Sequence, residues 1–209
     1  MKKVILYLRT DIADQELTAG GSVAHTLGVM QGFCDEGFSI VCASSCLDSV
    51  LKQVPLEKVI KLANPAWLKP LRWKLNSFFS TFFFFFQARS LCKEYSLAAI
   101  YQRYSLLNMT GLLLAWWYNK KFILEYNGSE AWIASRWIKN KKYMQGVWFL
   151  YVIEKINTKY ADYIVVVSQV LKDELVVKGT REDKILVNPN GVNVLVFNPE
   201  SIQKSYYYE

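Results

Sequence analysis

The sequence predicts an α/β fold with a doubly wound parallel sheet, and three observations lead to this prediction. Short apolar runs recur along the 209-residue chain and alternate with longer segments of helical periodicity. These runs are continuously apolar, which is typical of strands buried on both faces of a parallel sheet. Hydrophobic residues make up 52% of the chain, which excludes disorder and is enough for a substantial core. Strands that alternate with helices in this way favour βαβ units.

The first unit begins with a predicted strand at Val4–Leu8, followed by a polar loop and the pair Gly20-Gly21. We expect Ser22 to cap the first helix and Gly37 to end it in the left-handed conformation. The apolar positions of this helix share one face and are Val23, Leu27, Met30 and Cys34. A glycine turn before a helix start favours an anion site, because the first N–H groups of a helix lack intrahelical partners. The pair is also compatible with a plain tight turn.

The next elements follow from shorter signals. The apolar run 38–43 predicts a second strand, and the weaker, alternating pattern of 57–62 predicts a third strand at an edge of the sheet. Asn64-Pro65 and Lys69-Pro70 interrupt the chain and delay the next helix, which is predicted over 71–95.

Within that helix, the run Phe78–Phe86 is apolar all round, which an ordinary surface helix is not. The run is compatible with a helix packed in the core. It is also compatible with partial insertion into a membrane interface, which we favour slightly because Lys58–Lys93 holds seven basic residues and no acidic one. The basic residues expected at the headgroups are Lys69, Arg72, Lys74 and Arg89.

The second half of the chain repeats the alternation of strands and helices. The predicted strands are 97–101, 121–124, 163–167 and 184–187. Three helices are predicted in this half: a helix over 106–118, a long helix, and a helix capped by Ser168 that stops at Gly179. In the last part of the long helix, five apolar residues share one face: Phe149, Val152, Ile153, Ile156 and Tyr160.

Polar residues gather where the predicted strands end. In doubly wound sheets the ligand site lies beyond the carboxyl ends of the strands. The polar clusters expected there are Arg9–Asp11, Gly20–Ser22, Arg103–Ser105, Glu125–Glu130 and Ser168. Any single cluster is compatible with an ordinary polar loop, but together they predict a binding cleft.

Composition excludes several classes of protein. One histidine rules out a histidine-rich metal site, and four cysteines without C-x-x-C spacing are expected to be reduced thiols. No signal peptide and no apolar run long enough to cross a membrane is visible, so we expect a cytoplasmic location. The first strand is not followed by G-x-G-x-x-G, which disfavours a nicotinamide-dependent dehydrogenase, and no nucleic-acid recognition module is present.

The order of motifs resembles the N-terminal half of family-4 glycosyltransferases of the GT-B architecture. The matching stretches are 19–25, 101–105, 124–130, 160–168 and 185–193, with Phe197 and Pro199 following. Each stretch is weak alone, but their order over nearly the whole chain is a specific signal. The resemblance implies a Rossmann-like domain that forms one half of a GT-B fold.

The resemblance further implies a retaining glycosyltransferase of the hexosyltransferase type, with a nucleotide sugar as co-substrate and neither cofactor nor metal. In that family the N-terminal domain holds the acceptor, here a glycan or lipid-linked acceptor. The implied substrate-binding residues are Gly20, Gly21, Ser22, His25, Arg103, Tyr104, Glu125, Asn127, Gly128 and Glu130. Asn190 and Gly191 would lead into a second domain, and the catalytic residues are unknown.

Several of these residues have two interpretations. Arg103 could bind a phosphate or an acidic sugar, or form a salt bridge with a loop carboxylate. Glu125 or Glu130 could orient an acceptor hydroxyl. Alternatively, Glu125 could bind the backbone of the glycine loop, and Glu130 could cap a helix behind Ser129. His25 could face the cleft, although a core or surface position is commoner.

We expect residues 1–192 to form the acceptor-side domain and 193–209 to begin an interdomain linker, with the donor-binding domain absent. The chain alone is then expected to be inactive: a fragment, a truncated relic, or one half of a split enzyme with a separate donor domain. The expected role is cell-surface polysaccharide synthesis at the inner face of the cell membrane. The competing hypothesis is a non-catalytic binding module peripheral to an anionic membrane.

Overall fold

A seven-stranded parallel sheet organises the computed structural model, which describes residues 3–11, 17–47, 49–68, 73–137 and 147–191. The strand order is β3-β2-β1-β4-β5-β6-β7, and every neighbouring pair is parallel. The strands are Val4–Arg9 (β1), Ser39–Ser44 (β2), Lys58–Lys61 (β3), Leu97–Arg103 (β4), Lys121–Tyr126 (β5), Tyr163–Val166 (β6) and Ile185–Val187 (β7). The predicted doubly wound fold is confirmed, and β3 lies at an edge as expected.

Helices cover both faces of the sheet. They are Gly21–Asp35 (α1), Trp73–Glu94 (α2), Thr110–Tyr118 (α3), Glu130–Trp137 (α4), Val147–Tyr160 (α5) and Gln169–Val177 (α6). Short 3₁₀ turns lie at Val50–Gln53, Ala66–Leu68 and Glu182–Lys184. Helix α1 packs on the face that bears Tyr7 and Tyr101. Helices α2, α3 and α6 pack on the opposite face, which bears Leu6 and Leu124. Successive strand residues point to opposite faces, so β1 serves both cores.

The topology places a switch point between β1 and β4. From β1 the chain moves outward through β2 to the edge strand β3, and α2 then returns it to β4 on the other side of β1. Helices on the two halves therefore leave the sheet in opposite directions, which opens a crevice above the carboxyl ends of β1 and β4. The loops after these strands begin with Thr10 and Tyr104.

Helix ends follow local chemistry, with one correction. Ser168 accepts a hydrogen bond from the N–H of Leu171 and caps α6 as predicted, and Gly37 and Gly179 have φ of 83° and 91° as expected for left-handed stops. The predicted cap of α1 by Ser22 is wrong. The N-cap is Gly20, with φ of 106° and no side-chain cap, so α1 begins one residue before Ser22.

Two other boundaries differ from the prediction. Helix α3 begins at Thr110 and not at Leu106, because Leu107 has φ of 60° and the Asn108 side chain accepts from the Thr110 N–H. Strand β5 extends to Tyr126, so Glu125 lies inside the strand and not in the loop after it.

The phenylalanine run is divided between two environments. Phe84 is buried in the core beside Ala88 and Leu91, whereas Phe82 and Phe86 are exposed. Core packing therefore accounts for one face of α2 and not for the other. Among the described residues, no helix combines the length and apolar character needed to cross a membrane.

Candidate functional site

A fully buried carboxylate, Glu125, is the centre of the polar residues at the carboxyl end of the sheet. Its Oε1 accepts hydrogen bonds from Arg103 Nη1 at 2.7 Å and from Asn127 Nδ2 at 2.6 Å. Its Oε2 accepts from the hydroxyls of Tyr101 at 3.0 Å and Tyr7 at 3.3 Å. The carboxylate therefore joins β1, β4, β5 and the loop after β5.

Helix α1 reaches the same carboxylate. Nε2 of His25 lies 3.3 Å from Glu125 Oε1, and the imidazole is almost completely buried. The first turn of α1 is held by Arg9 from the end of β1: Nη1 donates to the Ser22 carbonyl at 3.1 Å and to Thr26 Oγ1 at 2.5 Å. Arg9 also pairs with Asp11. These contacts fix the glycine turn against the ends of β1 and β5.

The surroundings of Glu125 keep it ionised. Burial alone would raise its pKa, but contact with His25, the positive charge of Arg103 and the Asn127 amide outweigh burial and lower the pKa from 4.5 to about 2. Burial and the nearby Glu125 charge raise the pKa of Tyr7 and of Tyr101 well above their usual value, so both phenols stay protonated hydrogen-bond donors.

A second buried carboxylate, Glu154 of α5, anchors the loop after β5. It accepts from the Tyr126 hydroxyl at 2.9 Å, the Ser129 hydroxyl at 3.0 Å and the Ala131 N–H at 3.4 Å. Ser129 also caps α4 by accepting from the N–H of Trp132 at 3.0 Å. Burial raises the pKa of Glu154 despite these bonds, so its environment differs from that of Glu125.

On the face of the sheet opposite Glu125, Gln102 joins the loop after β1 to the loop after β4. Its Nε2 donates to Thr10 Oγ1 at 3.3 Å and to Asn108 Oδ1 at 3.2 Å, and its Oε1 accepts from the N–H of Gly111 at 2.5 Å. A Cβ on Gly111 would lie 2.5 Å from Gln102 Oε1, so α3 approaches β4 closely only because this residue is glycine. Side-chain hydrogen bonds therefore join the elements at the switch point on both faces of the sheet.

The structure brings most of the predicted site residues to one edge of the sheet. Gly20, Gly21 and Ser22 open α1, and the N–H groups of Gly21 and Ser22 precede the first intrahelical bonds, which the Gly20 carbonyl accepts from Val23 and Ala24. Within the part of the chain that the structure describes, a Cβ built on Gly20 or Gly21 meets nothing within 4 Å, so no described residue fills the space before the helix.

Four of the other predicted residues meet at one carboxylate, whereas a fifth lies on the opposite face of the sheet. His25, Arg103 and Asn127 each contact the carboxylate of Glu125. Tyr104 points to the opposite face, where its ring lies 5.9 Å from Tyr126. Its buried hydroxyl has no hydrogen-bond partner among the described residues.

The last four predicted residues lie just after β5 and at the end of the described chain. Gly128 has φ of 139° just before Ser129, and Glu130 is the half-buried first residue of α4. Burial, then the charges of Asp11 and Glu154, raise the pKa of Glu130. Asn190 and Gly191 are exposed and follow β7.

The structure shows which contacts Arg103, Glu125 and Ser129 make within the domain. Arg103 forms a salt bridge with a carboxylate, which belongs to a strand and not to a loop. Glu125 binds side chains and not the backbone of the glycine turn. Ser129 caps α4, and Glu130 follows it.

Sequence reasoning missed Tyr7, Tyr101, Thr26 and Glu154. Tyr7 and Tyr101 precede Arg9 and Arg103 by two residues, and residues two apart in a strand share a face, so a signal for the tyrosines was present. Glu154 is an acidic residue among the apolar positions Leu150 and Ile153 of α5, which marks it as buried. Thr26 had no comparable signal. The described residues contain no group of three or more histidine, cysteine, aspartate or glutamate side chains arranged to hold a metal ion.

Comparison with known folds defines the class of protein. The chain has a TM-score of 0.63 and 15% identity to sucrose-phosphate synthase from Thermosynechococcus elongatus, covering 93% of this chain and 50% of that one. It has a TM-score of 0.62 and 11% identity to a putative UDP-N-acetylglucosamine 2-epimerase from Listeria monocytogenes. That match covers 100% of this chain and 50% of the epimerase. The structure of an Anabaena protein, HepE, in complex with UDP-glucose has a TM-score of 0.56 and 15% sequence identity to this chain. The match covers 93% of this chain and 45% of HepE. The chain thus spans about half the length of these structures.

These likenesses identify a Rossmann-like α/β domain that forms one half of a GT-B fold. A search of curated protein sequences finds no match. The family model described as Glycosyltransferase Family 4 matches residues 19–194, which is most of the chain. The chain belongs to this family, and the predicted resemblance is confirmed.

Proposed function

We propose that this chain is the acceptor-binding half of a retaining glycosyltransferase of the hexosyltransferase type. It would move a sugar from a nucleotide sugar to a glycan or lipid-linked acceptor in cell-surface polysaccharide synthesis. The observation that carries the proposal is the open glycine turn of α1, which Arg9 holds beside the Glu125 cluster at the switch point of the sheet. Family membership and the nucleotide sugar bound by HepE support it.

The glycine turn suits a departing nucleoside diphosphate. The first N–H groups of α1 point out of the helix, and the positive end of the helix dipole lies behind them. Because none of the residues that the structure describes fills the space beyond Gly20 and Gly21, a diphosphate held on an opposing domain could approach the backbone closely. Arg103, whose side chain is 16% exposed, is more accessible than Arg9, whose side chain is 3% exposed. In this proposal no resident metal or other cofactor takes part.

Glu130 is the better carboxylate for orienting an acceptor hydroxyl. Glu125 is fully buried, and its oxygens accept hydrogen bonds from four side chains, so little capacity is left for a substrate. Glu130 is half buried at the same edge, and burial raises its pKa, which suits a group that shares a proton with an acceptor. Glu125 would instead keep Arg103, His25 and Asn127 in place.

The domain division follows from the same proposal. Residues 1–192 would form the acceptor side, and 193–209, outside the described residues, would begin the linker to a donor-binding domain. Since one domain supplies one wall of the cleft, the isolated 209-residue chain should not transfer sugar. A lipid-linked acceptor would place the protein in the cytoplasm, attached peripherally to the inner face of the membrane.

The test is a chimera that joins this chain to the donor-binding half of a family-4 enzyme. We expect the chimera to transfer sugar from at least one of a panel of nucleotide sugars to glycan or lipid-linked acceptors, with the anomeric configuration retained. The isolated chain should show no transfer, and Glu130→Gln should reduce kcat in the chimera. Turnover by the isolated chain, or a product of inverted configuration, would contradict the proposal.

A further inference from the structure

The outward side of the helix layer carries exposed aromatic residues that sugar transfer does not use. In α2, Leu75, Phe79, Phe82 and Phe86 follow at intervals of four, three and four residues and therefore lie on one face. This face is turned away from the core, because Phe86 is 59% exposed while Phe84 is 1% exposed. Burial in the domain does not explain this stripe.

Neighbouring helices extend the stripe into a continuous surface. The ring of Trp117 in α3 lies 6.1 Å from Phe85, and Trp116 and Trp117 are both largely exposed. Phe149 of α5 packs 5.5 Å from Phe78, next to the exposed Trp148. We call this surface the aromatic face; its main side chains are Phe79, Phe82, Phe86, Trp116, Trp117 and Trp148.

Positive charge borders the aromatic face. The same stripe of α2 continues into Arg89 and Lys93, and the exposed stripe of α5 continues into Lys155 and Lys159. The Arg89 guanidinium lies 5.2 Å from the centre of the Phe86 ring. Of the carboxylates in α2, α3 and α5, Glu154 is buried, and Glu94, at the end of α2, pairs with Lys58. The face therefore presents aromatic and basic groups with no unpaired exposed carboxylate.

Exposed aromatic and basic residues are distributed along α2, α3 and α5. In α2 the exposed phenylalanines precede Arg89 and Lys93, whereas in α5 the exposed Tyr160 follows Lys159. All three helices lead directly into parallel strands, so their first turns lie near the carboxyl edge of the sheet and their last turns near the opposite edge. Trp148, in the first turn of α5, therefore lies near the carboxyl edge, and Trp116 and Trp117, in the last turn of α3, lie near the opposite edge. The aromatic face consequently runs along the helix layer from one edge of the sheet towards the other.

We propose that the aromatic face docks this domain on an anionic lipid bilayer. Tryptophan and phenylalanine side chains partition into the interfacial region, and the basic band supplies attraction to anionic headgroups. A second copy of the chain is a poorer occupant, because two such faces would bring like charges together. If the proposed function holds, this docking keeps the domain at the membrane in which a lipid-linked acceptor would be anchored. The docking itself does not depend on sugar transfer.

Vesicle sedimentation of the full chain tests the proposal, with phosphatidylcholine vesicles that contain or lack phosphatidylglycerol. We expect binding only to the anionic vesicles, weakened by salt. The double variant Phe82→Gln/Phe86→Gln should bind at least tenfold more weakly. Arg89→Gln/Lys93→Gln should lose about fivefold in affinity for the anionic vesicles for each charge removed. Val170→Gln/Val177→Gln is the matched control, because these exposed valines of α6 lie outside the aromatic face, and it should bind like the wild type.

Circular dichroism of each variant verifies that it is folded, and exposed positions are chosen so that folding is retained. The proposal is overturned if the folded wild type does not sediment with anionic vesicles, or if it binds neutral vesicles equally well. It is also overturned if the α6 control loses as much binding as the aromatic variant. Self-association that Phe82→Gln/Phe86→Gln abolishes, without vesicle binding, would identify a second copy as the occupant and reject the bilayer.

Discussion

Replacing Glu125 by glutamine removes the charge around which β1, β4, β5 and α1 meet, while keeping the size of the side chain. In the folded protein the pKa of Glu125 is about 2, against an ordinary value of 4.5. At roughly 1.4 kcal/mol per pH unit, this difference contributes about 3 kcal/mol to the free energy of unfolding at neutral pH. We therefore expect Glu125→Gln to lower the free energy of unfolding by about 2–4 kcal/mol, which corresponds to a Tm lower by roughly 6–12 °C for a chain of this size.

The sign of the pH dependence follows from the lowered pKa. The contribution of Glu125 is fully present above pH 4.5, because both the folded and unfolded states are then ionised. It is lost as the pH falls from about 4.5 towards 2, where the unfolded chain takes up a proton before the folded one does. The stability of Glu125→Gln should therefore fall less steeply than that of the wild type in this interval.

Urea unfolding followed by far-UV circular dichroism between pH 7 and pH 3 measures both effects. Glu174→Gln is a suitable control, because Glu174 forms an exposed pair with Lys178 on α6 and should change stability by less than about 0.5 kcal/mol. Glu154→Gln should show the opposite change of slope, since burial raises the pKa of Glu154 in the folded state. A Glu125→Gln variant as stable as the wild type at pH 7, with the same acid profile, would refute the reasoning.

Four further substitutions test the structure at single positions. Gly21→Ala should leave the free energy of unfolding unchanged within about 1 kcal/mol, since its Cβ meets none of the described residues within 4 Å. In the active chimera it should weaken nucleotide-sugar binding roughly tenfold by obstructing the start of α1. Gly28→Ala, in the middle of the same helix and equally open, is its control and should keep full affinity. Gly111→Ala should lose at least about 1–3 kcal/mol in urea unfolding, because its Cβ would meet Gln102 Oε1 at 2.5 Å and the Phe122 ring at 2.8 Å; an unchanged midpoint would contradict this packing. Phe84→Ala should cost about 3–5 kcal/mol and Phe86→Ala less than about 0.5 kcal/mol by the same measurement, and equal losses would show that the orientation of α2 is wrong.

The fold could be predicted from the sequence because its signals are local. Apart from the alternating edge strand β3, each strand contains a continuous apolar run. Gly37 and Gly179 mark helix ends by the left-handed conformation that the structure confirms. The start of α1 was mispredicted because a serine after two glycines resembles a cap. In the structure the Ser22 carbonyl and hydroxyl instead accept from Arg9.

The contacts of the site depend on strand register, which local patterns do not contain. Tyr7 lies beside Tyr101, and Arg103 lies beside Glu125, only because β1, β4 and β5 are aligned in this register. The residue types could therefore be expected at the edge of the sheet, but not the shared carboxylate. The orientation of α2 was equally inaccessible, because the buried Phe84 and the exposed Phe82 belong to the same apolar run.

The central claim is that the open turn at Gly21 and the loop after β5 form one side of a sugar-transfer pocket. Titrating the ¹⁵N-labelled chain with a nucleotide sugar and with acceptor glycans, and following backbone amide shifts, tests this most directly. We predict that the largest shifts fall on Gly21, Ser22 and residues 127–130. The account would be contradicted if these amide signals did not shift and the shifted signals instead belonged to residues at the opposite edge of the sheet, around Lys58 and Lys121.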